Sequence, residues 1–357
     1  MGLLRFLLAL CVVLHHTPKA GISFMSGGIA VQAFYIVSGY FIAMVLSGKY
    51  RSLRTFYVNR ALRLYPIYLT VLALSAAEMY FSGANLYAKS RFFPVLTDPL
   101  AVFSIVFSNL TMIGQEWLVW FDAVRGTGSL VLDVAATEAK GRIDAWKFLL
   151  VPQAWSLSLE LAFYAIAPFV VKRRLWVIAL IAAASLGVRI CWEIAGVDYN
   201  LWVRRMFASE LCLFLLGVMA FRLTPAFVAF AGEARARIIG FSSLAALVLL
   251  IGFHARLFGV SAEGRAVLFF GLAFALPFIH HALGRSSIDR RIGDLSYPIY
   301  IVHVLVISTI KWLAPAEMSV WLSVSGTLAA AGALHLVIDR PVDALRQKLA
   351  ARAEAAS

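Results

Sequence analysis

A cation and an imidazole stand eleven residues apart in one apolar run, at Arg5 and His16. At about 100° and 1.5 Å per residue, an α-helix places both side chains on one face, roughly 16 Å apart. A charge at the centre of a membrane helix costs about 2.5 to 3.5 kcal/mol. We therefore expect both side chains to face a polar cavity, with His16 as a general base and His15 facing elsewhere. The alternative is an interfacial arginine followed by a polar helix end.

Three further polar side chains lie in later apolar runs and could act with this pair. Ser38, followed by Gly39, is either a reactive hydroxyl or part of a small-residue pair for helix packing. Glu160 could orient or charge-stabilise the imidazole of His16, because ionisable groups in apolar runs usually serve a function. It could equally close a structural ion pair. His303 is either a second catalytic imidazole or a hydrogen-bonding residue between helices.

Two arginines open the apolar run 61–81, in the segment Arg60-Ala-Leu-Arg63-Leu-Tyr65. Residues three apart share a helix face, and the planar guanidinium fork suits phosphate groups. With Arg5, this pair would bind the phosphates of an extended anionic donor whose reactive end lies near His16. The alternative is a pair of topological anchors that reach to lipid head groups.

The composition sets the environment in which these residues must work. Of 357 residues, 62% are hydrophobic and 14% are charged, which is too little polar surface for a water-soluble globule. The net charge of +13 comes from short basic clusters between apolar runs, so it follows the positive-inside rule and does not indicate nucleic acid binding. The three cysteines have no ligand-like spacing, and we expect no metal.

Ten apolar runs are long enough, or nearly so, to cross a bilayer. They lie at 3–16, 29–46, 61–81, 154–171, 175–194, 207–223, 238–254, 266–283, 295–313 and 320–338. The sequence predicts an all-α, polytopic transmembrane helical bundle that forms a single domain over residues 1–357.

The basic clusters indicate whether an eleventh apolar stretch, 100–113, crosses the membrane. If it crossed, clusters such as Lys172-Arg173-Arg174 would lie outside, against the positive-inside rule. We therefore predict ten spans with both termini cytoplasmic. Residues 82–153 then form an external cap with a re-entrant or interfacial segment, and residues 339–357 form a basic cytoplasmic tail.

Five motifs in order resemble those of membrane acyltransferase family 3. They are Arg-x10-His ending at His16, Val-Gln-x-Phe-Tyr-x-Val-Ser-Gly ending at Gly39, Arg-x-x-Arg-x-Tyr-Pro ending at Pro66, Trp-Ser-Leu-x-x-Glu ending at Glu160, and Leu-Ser-Tyr-x-Ile-Tyr-x-Val-His ending at His303. The chain departs from the family pattern at Gln32, where many members carry Asp, and at Leu161, where a second acidic residue is frequent.

The resemblance implies an O-acyltransferase of the bacterial inner membrane. It would move an acyl group, most often acetyl, from cytoplasmic acyl-coenzyme A to a hydroxyl of a glycan or lipid-linked saccharide. Acceptors of this kind occur in exopolysaccharide and lipopolysaccharide. The implied partners are membrane lipids, acetyl-coenzyme A and the glycan acceptor. The residues themselves supply the expected roles: donor binding for Arg5, Arg60, Arg63 and Tyr65, and catalysis for His16, Glu160, Ser38 and His303.

Within this reading, His16 would take the proton of the acceptor hydroxyl, and Glu160 could fix the tautomer of its ring. The sequence leaves open the acceptor, the acyl chain, the oligomeric state, and whether the acyl group passes directly or through a covalent intermediate.

Two other classes of function compete with this one. A transporter could use the intramembrane His, Glu and Arg residues as a substrate or proton path. Against it, the chain has no pair of Gly- or Pro-interrupted spans in equivalent halves. A non-enzymatic assembly scaffold would tolerate the loss of His16.

Overall fold

The computed structural model describes residues 1–17, 24–48, 52–83, 96–133 and 141–355, with side chains to residue 349. This part of the chain forms thirteen α-helices and three short strands. The helices are α1 (Gly2–His16), α2 (Gly27–Gly48), α3 (Leu53–Ser82), α4 (Pro99–Thr111), α5 (Trp155–Val170), α6 (Leu175–Ile194), α7 (Phe207–Ala231), α8 (Glu233–Leu257), α9 (Ala262–Leu283), α10 (Ser287–Asp294), α11 (Ser296–Leu313), α12 (Val320–Leu334) and α13 (Arg340–Ala355). The strands are β1 (Phe121–Val124), β2 (Leu130–Leu132) and β3 (Arg142–Asp144).

Each of the ten predicted spans coincides with a helix, which confirms the polytopic helical bundle. In the described part of the chain, eight helical stretches are long and apolar enough to cross a membrane. The helices α1 and α5 are shorter, at 15 and 16 residues. The helix α3 begins at Leu53, ahead of the apolar run, so Arg60 and Arg63 lie two turns inside it.

Two glycines bring α2 and α7 into close contact at the centre of the bundle. A Cβ atom on Gly39 would lie 1.9 Å from the carbonyl oxygen of Phe214, and one on Gly217 would lie 1.9 Å from that of Ile36. Such distances are below any van der Waals contact, so both positions require the absence of a side chain. The close approach that the sequence predicts at Gly39 is therefore present, and it fixes the depth of Ser38.

The start of α1 is held by α10. The carboxylate of Asp289 accepts hydrogen bonds from the backbone N–H groups of Gly2, at 2.7 Å, and Leu3, at 3.0 Å. These N–H groups have no partner inside their own helix, and a negative charge there also complements the helix dipole. This contact sets the position of α1, which carries both Arg5 and His16.

The predicted cap contains α4 and a small antiparallel sheet in the order β2-β1-β3. The helix α4 has 13 residues, about 20 Å, which is shorter than the hydrocarbon core of about 30 Å. Asn109 fastens it to the segment before α5, since its side chain donates to the carbonyl of Phe148 and accepts from the backbone N–H of Leu150. The interfacial or re-entrant position of α4 stays a prediction from the charge clusters, since α1 and α5 are also shorter than the hydrocarbon core.

Candidate active site

Arg5, Arg60 and Arg63 line one cavity of about 440 Å³ together with Ser38 and Glu160. They come from α1, α3, α2 and α5, which are far apart in sequence and converge here. We call this space the arginine cavity. The structure thus brings together the three arginines that the sequence predicts at a common site.

The arginine cavity carries an excess of positive charge, with five arginines and three carboxylates in its lining. Among the described residues, neither Arg5, Arg60 nor Arg63 forms an ion pair. Arg60 lies 6.0 Å from the ring centre of Tyr164, and its buried Nε has no hydrogen-bond partner in that part of the chain. Uncompensated guanidinium groups in a confined space suit a polyanionic ligand.

Tyr65 is predicted beside the donor, but it is not among the residues that line the arginine cavity. Its hydroxyl donates to the carbonyl oxygen of Thr111 at 2.6 Å, which joins α3 to the end of α4. Tyr65 lies two residues after Arg63 and therefore faces another side of α3. The contact gives this tyrosine a structural role between the bundle and the cap.

Ser38 and Glu160 form a hydrogen-bonded pair on the wall of the arginine cavity. The Ser38 hydroxyl donates to Glu160 Oε1 at 2.5 Å, and the Tyr164 hydroxyl donates to the same oxygen. The structural ion pair that the sequence left open for Glu160 does not occur among the described residues. Two hydroxyl donors instead hold the carboxylate in place.

A backbone carbonyl, and not Glu160, holds the ring of His16. His16 Nδ1 lies 2.8 Å from the carbonyl oxygen of Val12, one turn earlier in α1. A carbonyl oxygen only accepts hydrogen bonds, so a neutral ring carries its proton on Nδ1 and leaves the lone pair of Nε2 free. The predicted partner of His16 is thus corrected, while the tautomer is the one that a general base requires.

His16 lies in a second cavity, of about 210 Å³, which we call the histidine cavity. The sequence predicts one space from Arg5 to His16, whereas these residues line two adjacent cavities. Val31 and Tyr300 line both cavities, which therefore meet at these two side chains.

His15 lines the histidine cavity as well, which corrects the prediction that it faces elsewhere. The rings of His15 and His16 meet edge to face, with centroids 5.3 Å apart. Gly27 makes room for this arrangement, because a Cβ atom there would lie 2.9 Å from the Cβ of His15. Helical phase alone does not separate the two histidines, since both stand at the open end of α1.

His303 lies directly beside His16. The ring centroids are 4.9 Å apart, and His303 is completely buried. Its Nδ1 lies 2.7 Å from the carbonyl oxygen of Tyr300, while its Nε2 has no hydrogen-bond partner among the described residues. His303 is not among the lining residues of either cavity, and its catalytic role stays a prediction.

Tyr300 is a residue that the sequence interpretation passed over. Its hydroxyl hydrogen-bonds to Ser156 Oγ at 2.6 Å and donates to the carbonyl oxygen of Gln153 at 2.8 Å. These contacts fix the ring at the point where the two cavities meet. The available signal was its spacing, because Tyr300 lies three residues before His303 and shares its face of α11.

Arg204 and Arg205 also line the histidine cavity, and the sequence interpretation did not select them. They lie between α6 and α7, where the predicted topology places the chain outside. Two adjacent arginines there oppose the positive-inside rule. That exception was the signal that could have identified them.

Gln32, where many family members carry Asp, belongs to a buried polar network. Its Nε2 donates to Glu210 Oε1 at 2.6 Å, and Arg189 donates to the same oxygen at 3.2 Å. The hydroxyl of Tyr199 accepts from both Gln32 and Arg189. The network connects α2 to α6, α7 and the segment between them. Gln32 therefore has a structural role in packing these helices.

Comparisons with known proteins agree with these motifs. Nodulation protein 10 of Rhizobium leguminosarum bv. viciae is 25% identical over 345 residues, covering 92% of this chain and 85% of that protein. Exopolysaccharide production protein ExoZ of Rhizobium meliloti (strain 1021) is 25% identical over 358 residues, covering 93% and 94%. No solved structure shows significant similarity to the chain. The acyltransferase domain family profile Acyl_transf_3 matches residues 1–335, and the chain therefore belongs to this family.

Proposed function

We propose that this membrane acyltransferase transfers an acyl group, with acetyl as the first candidate, from cytoplasmic acyl-coenzyme A to a hydroxyl of an exported or cell-surface glycan. The observation that carries the proposal is the division of the site. Three unpaired arginines line one cavity, a histidine with a free Nε2 lines the next, and Tyr300 lies where they meet. This arrangement suits two substrates that approach from opposite directions.

In this proposal, the arginine cavity holds the phosphates of the donor. Arg60 and Arg63 come from successive turns of α3, and Arg5 faces them from α1. A hydrogen bond to a charged group contributes about 1.5 to 3 kcal/mol, and several such contacts would hold a coenzyme A moiety. Ser38 and Glu160 would then contact the arm of the donor that leads towards Tyr300.

The chemical step follows from the free Nε2 of His16. This nitrogen takes the proton of the acceptor hydroxyl as the hydroxyl oxygen attacks the thioester carbonyl carbon. The carbon–sulfur bond breaks and coenzyme A leaves as a thiolate, which takes up the proton that His16 received and so restores the neutral imidazole. A positioned general base contributes about 10²- to 10⁴-fold to such a step. His303 keeps the ring of His16 in place.

The proposed localisation is the bacterial inner membrane, where the donor is available on the cytoplasmic side. Membership of an acyltransferase family weighs against the transporter and the scaffold. Purified protein and labelled acetyl-coenzyme A test the choice. The enzyme should transfer the label to an added polysaccharide or release it as acetate, whereas a carrier would leave the thioester intact.

A further inference from the structure

Arg204 and Arg205 stand at the rim of the histidine cavity, across from His16. No step of the proposed reaction uses them, since the phosphates of the donor belong to the arginine cavity on the other side of Tyr300. Two adjacent cations beside the proposed base therefore need a separate explanation.

Among the described residues, the two guanidinium groups have no carboxylate in direct contact, although Glu116 interacts electrostatically with Arg205 and Glu210 with Arg204. Both face the ring of Trp155, with Arg204 at 5.5 Å and Arg205 at 4.6 Å from its centre. In the described ranges of the chain neither forms an ion pair, and the buried Nε of Arg204 has no hydrogen-bond partner there. Gly28 leaves the space for Arg204, because a Cβ atom on that glycine would lie 1.9 Å from its terminal nitrogen.

The electrostatic situation of Arg205 agrees with an unbalanced positive charge. Burial, and then the neighbouring charge of Arg204, lowers the pKa of Arg205 to about 9. An anion bound between the two guanidinium groups would oppose the contribution of Arg204 to this shift and would find two charge-assisted hydrogen-bond donors.

The rest of the histidine cavity suits a sugar. Trp146 supplies an aromatic ring in its lining, beside the Trp155 ring that the two guanidinium groups face, and rings of this kind combine a large apolar surface with a fixed geometry. Gln153 is 6% exposed and donates to the carbonyl oxygen of Ile301 at 2.6 Å. Its Oε1 has no partner among the described residues and would accept a hydrogen bond from a sugar hydroxyl.

We propose that the histidine cavity is the acceptor site and that Arg204 and Arg205 select an acidic saccharide, whose carboxylate or phosphate lies close to the hydroxyl that His16 deprotonates. The inference rests on the proposed function and specifies its acceptor. The anion would anchor the sugar between the two guanidinium groups and so direct acylation to a hydroxyl near the acidic group.

Binding of matched saccharides to the full-length protein in lipid nanodiscs tests this inference. The probes are trigalacturonic acid, its neutral methyl ester, and galactose 1-phosphate as the phosphate source. We expect the acid to bind about tenfold or more tightly than the ester, in keeping with the free energy of a charge-assisted contact. Arg204→Gln and Arg205→Gln should reduce the affinity for the acid to that for the ester.

Two controls separate recognition from misfolding and from overall charge. Arg204→Lys and Arg205→Lys keep the charge and should retain part of the preference for the acid. Arg125 is exposed in the cap and lies outside both cavities, so Arg125→Gln removes one positive charge and should leave the affinity unchanged. Thermal unfolding of each variant shows whether it is folded.

The outcomes are distinct. Equal affinity for acid and ester, unchanged affinity in both folded Gln variants, or no binding of either anionic probe would overturn the inference. Preferential binding of galactose 1-phosphate or of trigalacturonic acid supports it and identifies the source of the anion. Acetyl-coenzyme A turnover is measured in parallel: a protein that turns over the donor but ignores the anionic probes refutes the acceptor inference alone. A protein that binds them but never cleaves the donor refutes the proposed function.

Discussion

The hydrogen bond between His16 and the carbonyl of Val12 gives one of two adjacent histidines a defined tautomer. His15, at the same cavity, has no side-chain hydrogen bond in the described part of the chain. The sequence could predict that an imidazole faces a polar space, since that follows from helical phase and the cost of burying charge. It could not predict the partner, because the choice between Val12 and Glu160 depends on the rotamer and on where α5 lies.

His16→Ala should abolish acyl transfer, with a loss of about 10²- to 10⁴-fold, and leave donor binding near that of the parent protein. A general base acts on the reaction and does not contact the phosphates. His15→Ala should keep most of the activity. Initial rates and donor affinity are compared at equal amounts of protein in the membrane. An inactive His15→Ala together with an active His16→Ala would refute the assignment of the base.

Arg60→Ala and Arg63→Ala should raise the KM for acyl-coenzyme A about tenfold and change the KM for the acceptor much less, because each removes a charge-assisted phosphate contact. Lysine substitutions should restore part of the affinity, since lysine keeps the charge without the fork. Arg54→Ala provides the control, because Arg54 is exposed on the same helix outside the arginine cavity. An unchanged donor KM in folded alanine variants would make these arginines topological anchors.

The helices α2 and α7 show what a pattern of small residues predicts and what it leaves out. Ser38-Gly39 in an apolar run predicted a close helix contact, and the contact exists. The sequence did not identify Gly217 on α7 as the reciprocal glycine, because a pairing between elements nearly 180 residues apart leaves no local signal. The start of the apolar run at residue 61 likewise misplaced the start of α3. The more polar segment 53–60 before this run is already helical.

Gly39→Ala should destabilise the protein, because the added methyl group meets the backbone of α7 and forces the two helices apart. Overpacking of this kind costs about 1 to 3 kcal/mol. Gly187→Ala in α6 is the matched control, since nothing lies within 4 Å of a Cβ atom there. Thermal unfolding in detergent should show a lower transition temperature for Gly39→Ala alone. Equal transition temperatures would mean that α2 and α7 are further apart than described.

At the scale of the whole molecule, the positions of the apolar runs were sufficient to predict the bundle, but not the division of its interior. Each span was identified from composition alone, because a bilayer requires long apolar helices. The boundary between the two cavities depends on Tyr300 and Val31, whose side chains meet only after α2 and α11 have packed. The sequence does show Arg204 and Arg205 as an exception to the positive-inside rule. Their common contact with Trp155 could be seen only in the structure.

The predicted orientation in the membrane is tested with single cysteines in a variant that lacks Cys11, Cys191 and Cys212. Arg173→Cys should be protected from an impermeant thiol reagent added to intact cells, because its basic cluster is expected on the cytoplasmic side. Arg125→Cys in the cap should be labelled. Labelling at position 173 would mean that α4 crosses the membrane and that the second half of the bundle is inverted.

The boundary at Tyr300 also has a kinetic consequence. In the proposed reaction, adjacent cavities would let the donor and the acceptor bind at the same time, and direct transfer would then require both to be present. Initial rates measured at several fixed acceptor concentrations should therefore give intersecting lines in a double-reciprocal plot. Free coenzyme A should compete with the donor and not with the glycan. Under the proposed function, the acyl group would cross the membrane in one direction: the glycan would gain its ester outside, and free coenzyme A would stay in the cytoplasm.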